Sequence, residues 1–205
     1  MSGGGSVHWD GIYQSKGDRE VSWFELNPAI SLDLIRRHAD PAASSLIDIG
    51  GGASRLVDAL LAEGMRDISV LDLSAAALDV SKARLGPAAD KVEWIVEDVT
   101  RWRPCRTYGF WHDRAAFHFL TGQADRAAYI ERLRDAVGPG GYAIIATFAV
   151  DGPEKCSGLP VRRYDSEDIA KLLAPSFRLA EKLRHVHTTP GGSKQSFQFS
   201  LLQRL

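Results

Sequence analysis

The sequence predicts an α/β fold, an open and mostly parallel sheet with helices on both faces. From residue 45 to residue 148, short apolar runs alternate with segments of helical periodicity, as in successive strand-helix-strand units. Near the end, residues 177–186 and 195–202 form two long strand-like runs. The loop between them is too short for a crossover helix, so they pair as an antiparallel hairpin. We therefore expect seven strands, the last of them antiparallel to the others.

Each predicted element is delimited by local signals. The first five strands are expected at residues 46–49, 67–71, 92–96, 108–111 and 142–148. Helices are expected at residues 28–38, 55–63, 75–85, 125–137 and 166–173. Ser74 is in position to cap the third of these helices, which Gly86 and Pro87 then end.

The length of the chain favours one domain. With 205 residues, of which 44% are hydrophobic, the chain can bury a full core. Residues 1–7 are glycine- and serine-rich and are expected to form a flexible tail. Residues 8–205 then form a single domain, with N-terminal lid helices at 8–40 and the sheet with its helices at 45–205.

Composition excludes several classes of partner. The net charge is −1 and no basic stripe is present, so we expect no nucleic-acid binding. The longest apolar run, Tyr142–Val150, is far shorter than the ~20 residues that span a bilayer, and with no targeting segment before His8 a cytoplasmic protein is expected. Cys105 and Cys156 lack metal-ligand spacing, so we expect no metal. The oligomeric state is left open.

A glycine-rich turn follows the first predicted strand. Gly50, Gly51 and Gly52 allow positive φ and close approach of a ligand to bare backbone. A dinucleotide fingerprint needs a third spaced glycine, but Arg55 stands in that position. Asp48, two residues before the turn, would repel a phosphate and attract an ammonium. The pattern favours a ligand with a cationic amino-acid end, and S-adenosylmethionine has this chemistry.

Acidic residues also end the next two predicted strands. Asp72 comes twenty residues after Gly52, the spacing at which a carboxylate accepts hydrogen bonds from ribose hydroxyls. NAD would use the same residue, so Asp72 alone does not discriminate between the two ligands. Asp98 ends the third strand, where it could accept from an adenine amino group. Three consecutive strand ends thus carry an acid.

These motifs together resemble those of the class I S-adenosylmethionine-dependent methyltransferases. The matching segments are residues 46–55, 70–73, 97–99 and 137–142. The resemblance implies a Rossmann-like sheet of order 3-2-1-4-5-7-6 with strand 7 antiparallel. It also implies S-adenosyl-L-methionine as cofactor and S-adenosyl-L-homocysteine as product. The cofactor contacts that it implies are Asp48, Gly50, Gly51, Gly52, Asp72, Leu73, Asp98 and Val99.

The segment after the fourth strand is the predicted acceptor site, because residues 111–120 are dense in titratable and aromatic side chains. If the acceptor is an amine, it must lose a proton before attack, and Asp113, His112 and His118 are the candidate catalytic residues. Methyl transfer depends mainly on alignment and a dry site, so a general base is optional. Asp113 and Arg114 could instead form a structural ion pair, and His118 could be a core histidine.

Seven residues are expected to contact the methyl acceptor. The aromatic rings near the N-terminus would either form an apolar box around the acceptor or hold the N-terminal segment on the sheet. The loop at 149–164 is long enough to be functional. The candidate substrate contacts are Trp9, Tyr13, Trp23, Arg114, Phe117, Cys156 and His187.

The acceptor itself is open between three hypotheses. The residues His8-Trp9-Asp10, the segment 21–24, and Asp113 with Phe117 are similar to the small lysine methyltransferases of citrate synthase and elongation factor. This similarity favours an amine, most plausibly a protein lysine. The alternatives are a small molecule, with a thiol, oxyanion or other metabolite as acceptor, and a catalytically silent cofactor-binding module. The partner is thus a protein or small-molecule methyl acceptor.

Overall fold

The computed structural model describes residues 5–205 and contains a seven-stranded sheet. The strands are β1 Ser45–Ile49, β2 Asp67–Asp72, β3 Val92–Val96, β4 Tyr108–Arg114, β5 Val137–Phe148, β6 Lys155–Cys156, β7 Leu159–Pro160, β8 Phe177–Thr188 and β9 Lys194–Arg204. The large sheet has the order β3-β2-β1-β4-β5-β9-β8, and β6 and β7 form a separate hairpin. Strand β9 is antiparallel to both of its neighbours. The predicted topology is confirmed.

Helices cover both faces of this sheet. They are α1 Ser6–Ser15, α2 Ala29–Arg36, α3 Leu56–Ala62, α4 Ala75–Leu85, α5 Gln123–Ala136 and α6 Ser166–Leu173. Successive residues of β1 point to opposite layers, since Leu46 packs in the core that contains α2 and α3, and Ile47 in the core that contains α5 and α6. The sheet is therefore buried on both sides, as parallel sheets require.

The predicted cap of α4 is confirmed. The hydroxyl oxygen of Ser74 accepts a hydrogen bond from the backbone N–H of Ala77 at 3.1 Å. This satisfies one of the free N–H groups at the start of the helix. Because Ser74 follows the end of β2 directly, the cap also fixes the turn that carries Asp72.

Three features differ from the sequence-based expectation. Lid helices were expected within residues 8–40, but no bounds were predicted for α1; it has no buried residue of its own, so its sequence carries little periodic signal. Strand β4 continues to Arg114 instead of ending at Trp111, because it pairs with β1 and β5 over these extra residues. Within the loop at 149–164, β6 and β7 form a hairpin.

The N-terminal tail was predicted over residues 1–7. Residues 1–4 of it lie outside the described residues, and α1 already begins at Ser6. Among residues 5–205, no helix combines the length and the apolar character needed to cross a membrane.

Candidate functional site

The main cavity lies beyond the carboxyl ends of β1 to β4, where ligands bind in open α/β sheets. A smaller cavity adjoins it on the other side of the glycine turn. Five of the predicted cofactor contacts line the main cavity, namely Gly50, Asp72, Leu73, Asp98 and Val99. Asp48 and Gly51 line the smaller cavity, together with Gly50. The structure thus brings together acids and glycines that are far apart in sequence.

The glycine turn needs glycine at its first and third positions. Gly50 has φ +66°, and a Cβ there would lie 2.8 Å from the Cβ of Ala116. Gly52 has φ +36°, and a Cβ there would lie 2.8 Å from Asp72 Oδ2. Both backbone conformation and space exclude larger residues. The turn consequently presents bare backbone to the cavity.

The Asp72 carboxylate stands at the bottom of the main cavity. Its Oδ1 accepts from the backbone N–H of Ser74 at 2.8 Å. Burial, together with the charge of Asp48, raises the pKa of Asp72 to about 7, although the backbone N–H groups of Ser74, Gly52 and Leu73 lower it. A ligand with hydroxyl donors would stabilise the ionised carboxylate.

Asp98 has one carboxylate oxygen available to a ligand. Its Oδ1 accepts from the backbone N–H and the hydroxyl of Thr100, at 2.9 and 2.7 Å. Its Oδ2 is buried and has no hydrogen-bond partner within residues 5–205. A buried carboxylate oxygen without a donor is costly. Since Asp98 lines the cavity, a ligand N–H group there would supply the missing hydrogen bond.

Helix α1 forms a lid over this cavity. Trp9 and Tyr13 line the cavity from above. Asp10 anchors the helix, because its Oδ1 accepts from the Ser74 hydroxyl at 2.6 Å and from the backbone N–H of Ala76 at 3.2 Å. The carboxylate lies at the N-terminus of α4, where the helix dipole also favours negative charge. The lid is therefore tied to the same turn that positions Asp72.

Replacing Asp10 by alanine is expected to loosen the lid while leaving the sheet intact. Losing two hydrogen bonds in this partly buried contact should cost about 1–2 kcal/mol of local opening, which corresponds to roughly 5–30-fold faster cleavage. Limited trypsin digestion at the exposed Lys16 and Arg19 would measure it. Asp79→Ala removes an exposed carboxylate from α4 and is the matched control. Equal cleavage rates in the two variants would contradict the anchoring role.

Aromatic side chains form a wall of the cavity, which we call the aromatic wall: Trp9, Trp23 and Phe119. The ring of Trp9 lies edge-to-face against both of the others, with centroids 5.8 Å from Trp23 and 5.0 Å from Phe119. Trp23 Nε1 donates to the hydroxyl of Tyr13 at 3.1 Å. Trp9 and Trp23 also pack against the core. These rings therefore hold the N-terminal segment on the core and also line the cavity; that they surround the acceptor stays a prediction.

Arg114 lines both cavities, but its partner is not Asp113. Its guanidinium donates to Glu25 Oε1 and to the carbonyl of Trp23, both at 2.9 Å, and lies 4.9 Å from the ring centroid of Phe197. Burial lowers the pKa of Arg114, and the charge of Glu25 opposes this. Arg114 therefore fastens the segment around Trp23 to the end of β4, and the predicted pairing with Asp113 is wrong.

His187 supports the same segment from β8. Its Nε2 donates to the carbonyl of Ser22 at 2.9 Å, and its Nδ1 lies 3.5 Å from Glu25 Oε1. Burial raises the pKa of Glu25, but the hydrogen bond from His187 and the charge of Arg114 outweigh it, so this pKa is lowered. His187 lines neither cavity. The prediction that it contacts the acceptor is corrected to a supporting role.

The structure also corrects the role of Asp113. Its carboxylate is fully buried and accepts from the backbone N–H groups of Ala116 at 2.9 Å and Phe117 at 3.0 Å, and from the Tyr129 hydroxyl at 2.6 Å. It lines neither cavity and faces the α5 side of the sheet. Asp113 therefore caps the turn after β4, which includes Ala115 at φ +73°, and it cannot contact an acceptor in the cavity.

Two further predicted site residues lie in the core. His118 is fully buried, and its Nδ1 accepts from the backbone N–H of Phe148 at 3.3 Å. Burial, aided by the charge of Arg114, lowers the pKa of His118 to about 3, so it is a poor general base. The ring of Phe117 packs against that of Tyr129 in the layer that contains α5, with centroids 4.7 Å apart. Both residues are core residues, not catalytic or substrate-binding ones.

His112 is held on both sides by hydrogen bonds. Its Nδ1 lies 2.7 Å from Asp48 Oδ1 and its Nε2 lies 2.8 Å from the hydroxyl oxygen of Ser31. All three side chains are buried, with exposures of 1–3%. Because both ring nitrogens are engaged, His112 has none free to take a proton from an acceptor. Its prediction as a general base is corrected to a positioning role.

Cys156, in β6, lines the main cavity, and its contact with the acceptor stays a prediction. Its thiol is buried, and burial raises the pKa of this thiol to about 11. The hydrogen bond from Ser22 and the charge of Arg114 lower the pKa but do not outweigh burial. It is therefore an uncharged thiol at neutral pH and acts as an apolar surface. Through Cys156, the β6–β7 hairpin forms part of the cavity wall.

Several cavity residues were not singled out from the sequence. Glu25 and Ser31 carry no motif, and their roles follow only from partners 89 and 81 positions away. The titratable and aromatic run after the fourth strand includes Phe119 and Leu120, and Asp125 follows it. That run was the sequence signal that could have identified these cavity residues. Within the part of the chain that the structure describes, no group of three His, Cys, Asp or Glu side chains could hold a metal ion.

The family comparison agrees with this geometry. Residues 46–141 match the family model described as "Methyltransferase domain". The matched segment holds the glycine turn and the acids that line the cavity. The matched domain and the geometry of the cavity agree, and the protein is a methyltransferase. No curated protein matches its sequence significantly.

Solved structures share the fold of this methyltransferase at low identity. One is a SAM-dependent methyltransferase from Anabaena variabilis, 16% identical, with a TM-score of 0.74 over 98% of this chain and 95% of that one. Another is the N-methyltransferase NodS from Bradyrhizobium japonicum in complex with S-adenosylhomocysteine, 13% identical, TM-score 0.73, covering 98% and 99%. A third is the Burkholderia thailandensis 1,6-didemethyltoxoflavin-N1-methyltransferase, 18% identical, TM-score 0.69, covering 97% and 84%.

Proposed function

We propose that this methyltransferase acts on a nitrogen atom of a small molecule whose apolar part lies against the aromatic wall. The observation that carries the proposal is the mostly apolar lining of the cavity. Helix α1 covers it, the aromatic wall lines it, and Cys156 of the β6–β7 hairpin adjoins it. Such a mostly apolar cavity with few polar groups is typical of small-molecule sites.

The cofactor would occupy the floor of the main cavity and the adjoining smaller one. Asp72 would accept from the ribose hydroxyls, and Asp98 Oδ2 from the adenine amino group. The bare backbone of the glycine turn and the carboxylate of Asp48 would adjoin the amino-acid end. When bound, S-adenosylmethionine supplies an electrophilic methyl group. The residues fit this cofactor because Asp98 has a carboxylate oxygen without a partner and the glycine turn carries no Cβ, so its backbone is bare.

The chain would favour reaction by desolvating and orienting the acceptor. An amine in water is mostly protonated, but an apolar site disfavours its charged form. The positive charge of Arg114 is neutralised by Glu25, so this pair places no net charge beside the aromatic wall. Holding the nitrogen in line for displacement can lower the barrier by roughly 7–11 kcal/mol. No general base is then required, which agrees with the buried positions of Asp113 and His118.

Two of the structural neighbours described above support a nitrogen acceptor. NodS is described as an N-methyltransferase, and the Burkholderia enzyme methylates N1 of 1,6-didemethyltoxoflavin. A protein lysine is the other amine acceptor that the sequence favours. Residues of α1 and of the β6–β7 hairpin line the cavity, and these two elements beside it favour a small molecule over a lysine on a folded protein surface.

Methyl-labelled S-adenosylmethionine and cell lysate would test the acceptor class. We expect label in the fraction that passes a small-pore filter, attached to nitrogen and stable to mild base. The Asp72→Ala variant is the control, since it should transfer no label. Label that stays in a nuclease-resistant protein band would overturn the small-molecule proposal and favour a lysine. Base-labile label in the filtrate would overturn the nitrogen assignment, and absence of label with intact cofactor binding would favour a silent binding module.

A further inference from the structure

A buried chain of three side chains joins helix α2 to the glycine turn. It runs from Ser31 in α2 through His112 in β4 to Asp48 in β1, with contacts of 2.8 and 2.7 Å. Asp48 and His112 are register partners on neighbouring parallel strands, so the backbone fixes their approach. The three residues line the smaller cavity, beside Gly50 and Gly51. Of these three side chains, only Asp48 belongs to the cofactor contacts described above.

The direction of the hydrogen bonds follows from the chemistry of the groups. A carboxylate oxygen only accepts, so Nδ1–H of His112 donates to Asp48 Oδ1. Nε2 forms the second hydrogen bond of the ring, with the hydroxyl of Ser31. Each group has a partner that fixes the orientation of the next. With Oδ1 held by the ring, the other oxygen, Oδ2, is directed to the glycine turn.

The contact between Asp48 and the turn is tight. A Cβ at Gly51 would lie 2.7 Å from Asp48 Oδ2, so this oxygen packs directly against the Gly51 backbone. Arg55 and Asp18, charged side chains that also line the smaller cavity, pair with each other at 2.8 Å. Arg114 is paired with Glu25. Among the described acids that line the smaller cavity, Asp48 is therefore the one that pairs with a histidine and has no arginine partner.

We propose that His112, held by Ser31, is a positioning residue for the amino-acid end of the cofactor. It fixes the Asp48 carboxylate beneath the glycine turn, where the cationic amino group of that end would be attracted. This inference rests on the cofactor placement proposed above, not on the nature of the acceptor. Through its hydrogen bond to His112, Ser31 links the position of α2 to the glycine turn. Helix α2 follows the segment that carries Trp23.

Two ligands that differ in the amino-acid end can test this role. S-adenosylhomocysteine carries this end, and 5′-methylthioadenosine lacks it. For His112→Ala we expect about tenfold weaker binding of S-adenosylhomocysteine by calorimetry, the effect of one lost charge-assisted hydrogen bond. Binding of 5′-methylthioadenosine should change by less than about twofold, because Asp72 and Asp98 stay in place. Equal weakening of both ligands, or of neither, would overturn the proposal.

Two milder variants keep the test independent of folding. His112→Asn retains a donor near Asp48 and is expected to restore part of the affinity for S-adenosylhomocysteine. Ser31→Ala keeps the contact between His112 and Asp48 but frees the far side of the ring, and about two- to threefold weakening is expected. Asp33→Ala, on the exposed face of α2, is the control and should change nothing. If Asp72→Ala leaves both ligands unaffected, the cofactor placement itself fails, which is a separate result.

Discussion

Replacing Asp72 by alanine is expected to weaken binding of S-adenosylhomocysteine by at least about 100-fold. The carboxylate would accept from two ribose hydroxyls, and hydrogen bonds to a charged group contribute about 1.5–3 kcal/mol each. Calorimetric titration of the purified protein measures the loss. Asp98→Asn is the matched control, because it alters one hydrogen bond to the adenine amino group and should weaken binding less. Unchanged affinity in Asp72→Ala would refute the proposed cofactor placement.

The same carboxylate predicts a pH dependence of cofactor binding. Burial raises the pKa of Asp72 to about 7 in the free protein, so the carboxyl is largely protonated below that pH. Since the ionised form is the better acceptor for two hydroxyls, affinity should increase as the pH rises from 6 to 8. Asp72→Asn cannot ionise, so its weaker affinity should stay flat over this range. A wild-type affinity independent of pH would contradict the assignment.

Removing the Asp113 carboxylate is expected to destabilise the fold by about 3–5 kcal/mol, the cost typical of leaving several buried donors unpaired. Asp113→Ala would leave the N–H groups of Ala116 and Phe117 and the hydroxyl of Tyr129 without an acceptor. Asp113→Asn keeps one acceptor oxygen and should lose less. Urea unfolding of the three proteins measures these differences. Full stability of Asp113→Ala with loss of turnover would instead restore Asp113 as a catalytic residue.

Asp113 also gives a pH dependence of stability. Burial raises its pKa in the folded protein to about 6, from a usual value of 3.8, while the hydrogen bonds from Tyr129, Ala116 and Phe117 lower it. The folded state therefore binds more protons than the unfolded state between about pH 4 and pH 6, and its stability falls as the pH rises through this window. The difference in unfolding free energy between wild type and Asp113→Asn should therefore also decrease as the pH rises through this window. A difference independent of pH would contradict a buried ionisable carboxyl.

The sequence by itself determined the succession of strands and helices and the residues at the carboxyl ends of the first three strands. The glycine turn, Asp72 and Asp98 follow strands of strong apolar character, and parallel strands place their carboxyl ends at one edge. Their positions therefore depend on local signals that a short stretch of chain contains. The cap at Ser74 was predictable for the same reason, since it acts only three residues along the chain.

The prediction of the acceptor side of the site depended on the residue at which β4 ends. The sequence of this strand does not reveal that residue. Side chains alternate along a strand, so His112 and Arg114 face the lid side while Asp113 faces α5. With the strand assumed to end at Trp111, all three were expected beyond the sheet. Pairing with β1 and β5 extended the strand and separated them.

Only the tertiary structure decided the partners of the buried charges and the position of the lid. Arg114 pairs with Glu25, 89 positions away, and His112 bonds to Ser31, 81 positions away. Neither distance leaves a local pattern. Helix α1 buries none of its own residues and is held by Asp10 on the turn before α4, so its place arises from a contact across the fold. Burial and pairing of polar groups are properties of the packed chain, and the sequence alone does not encode them locally.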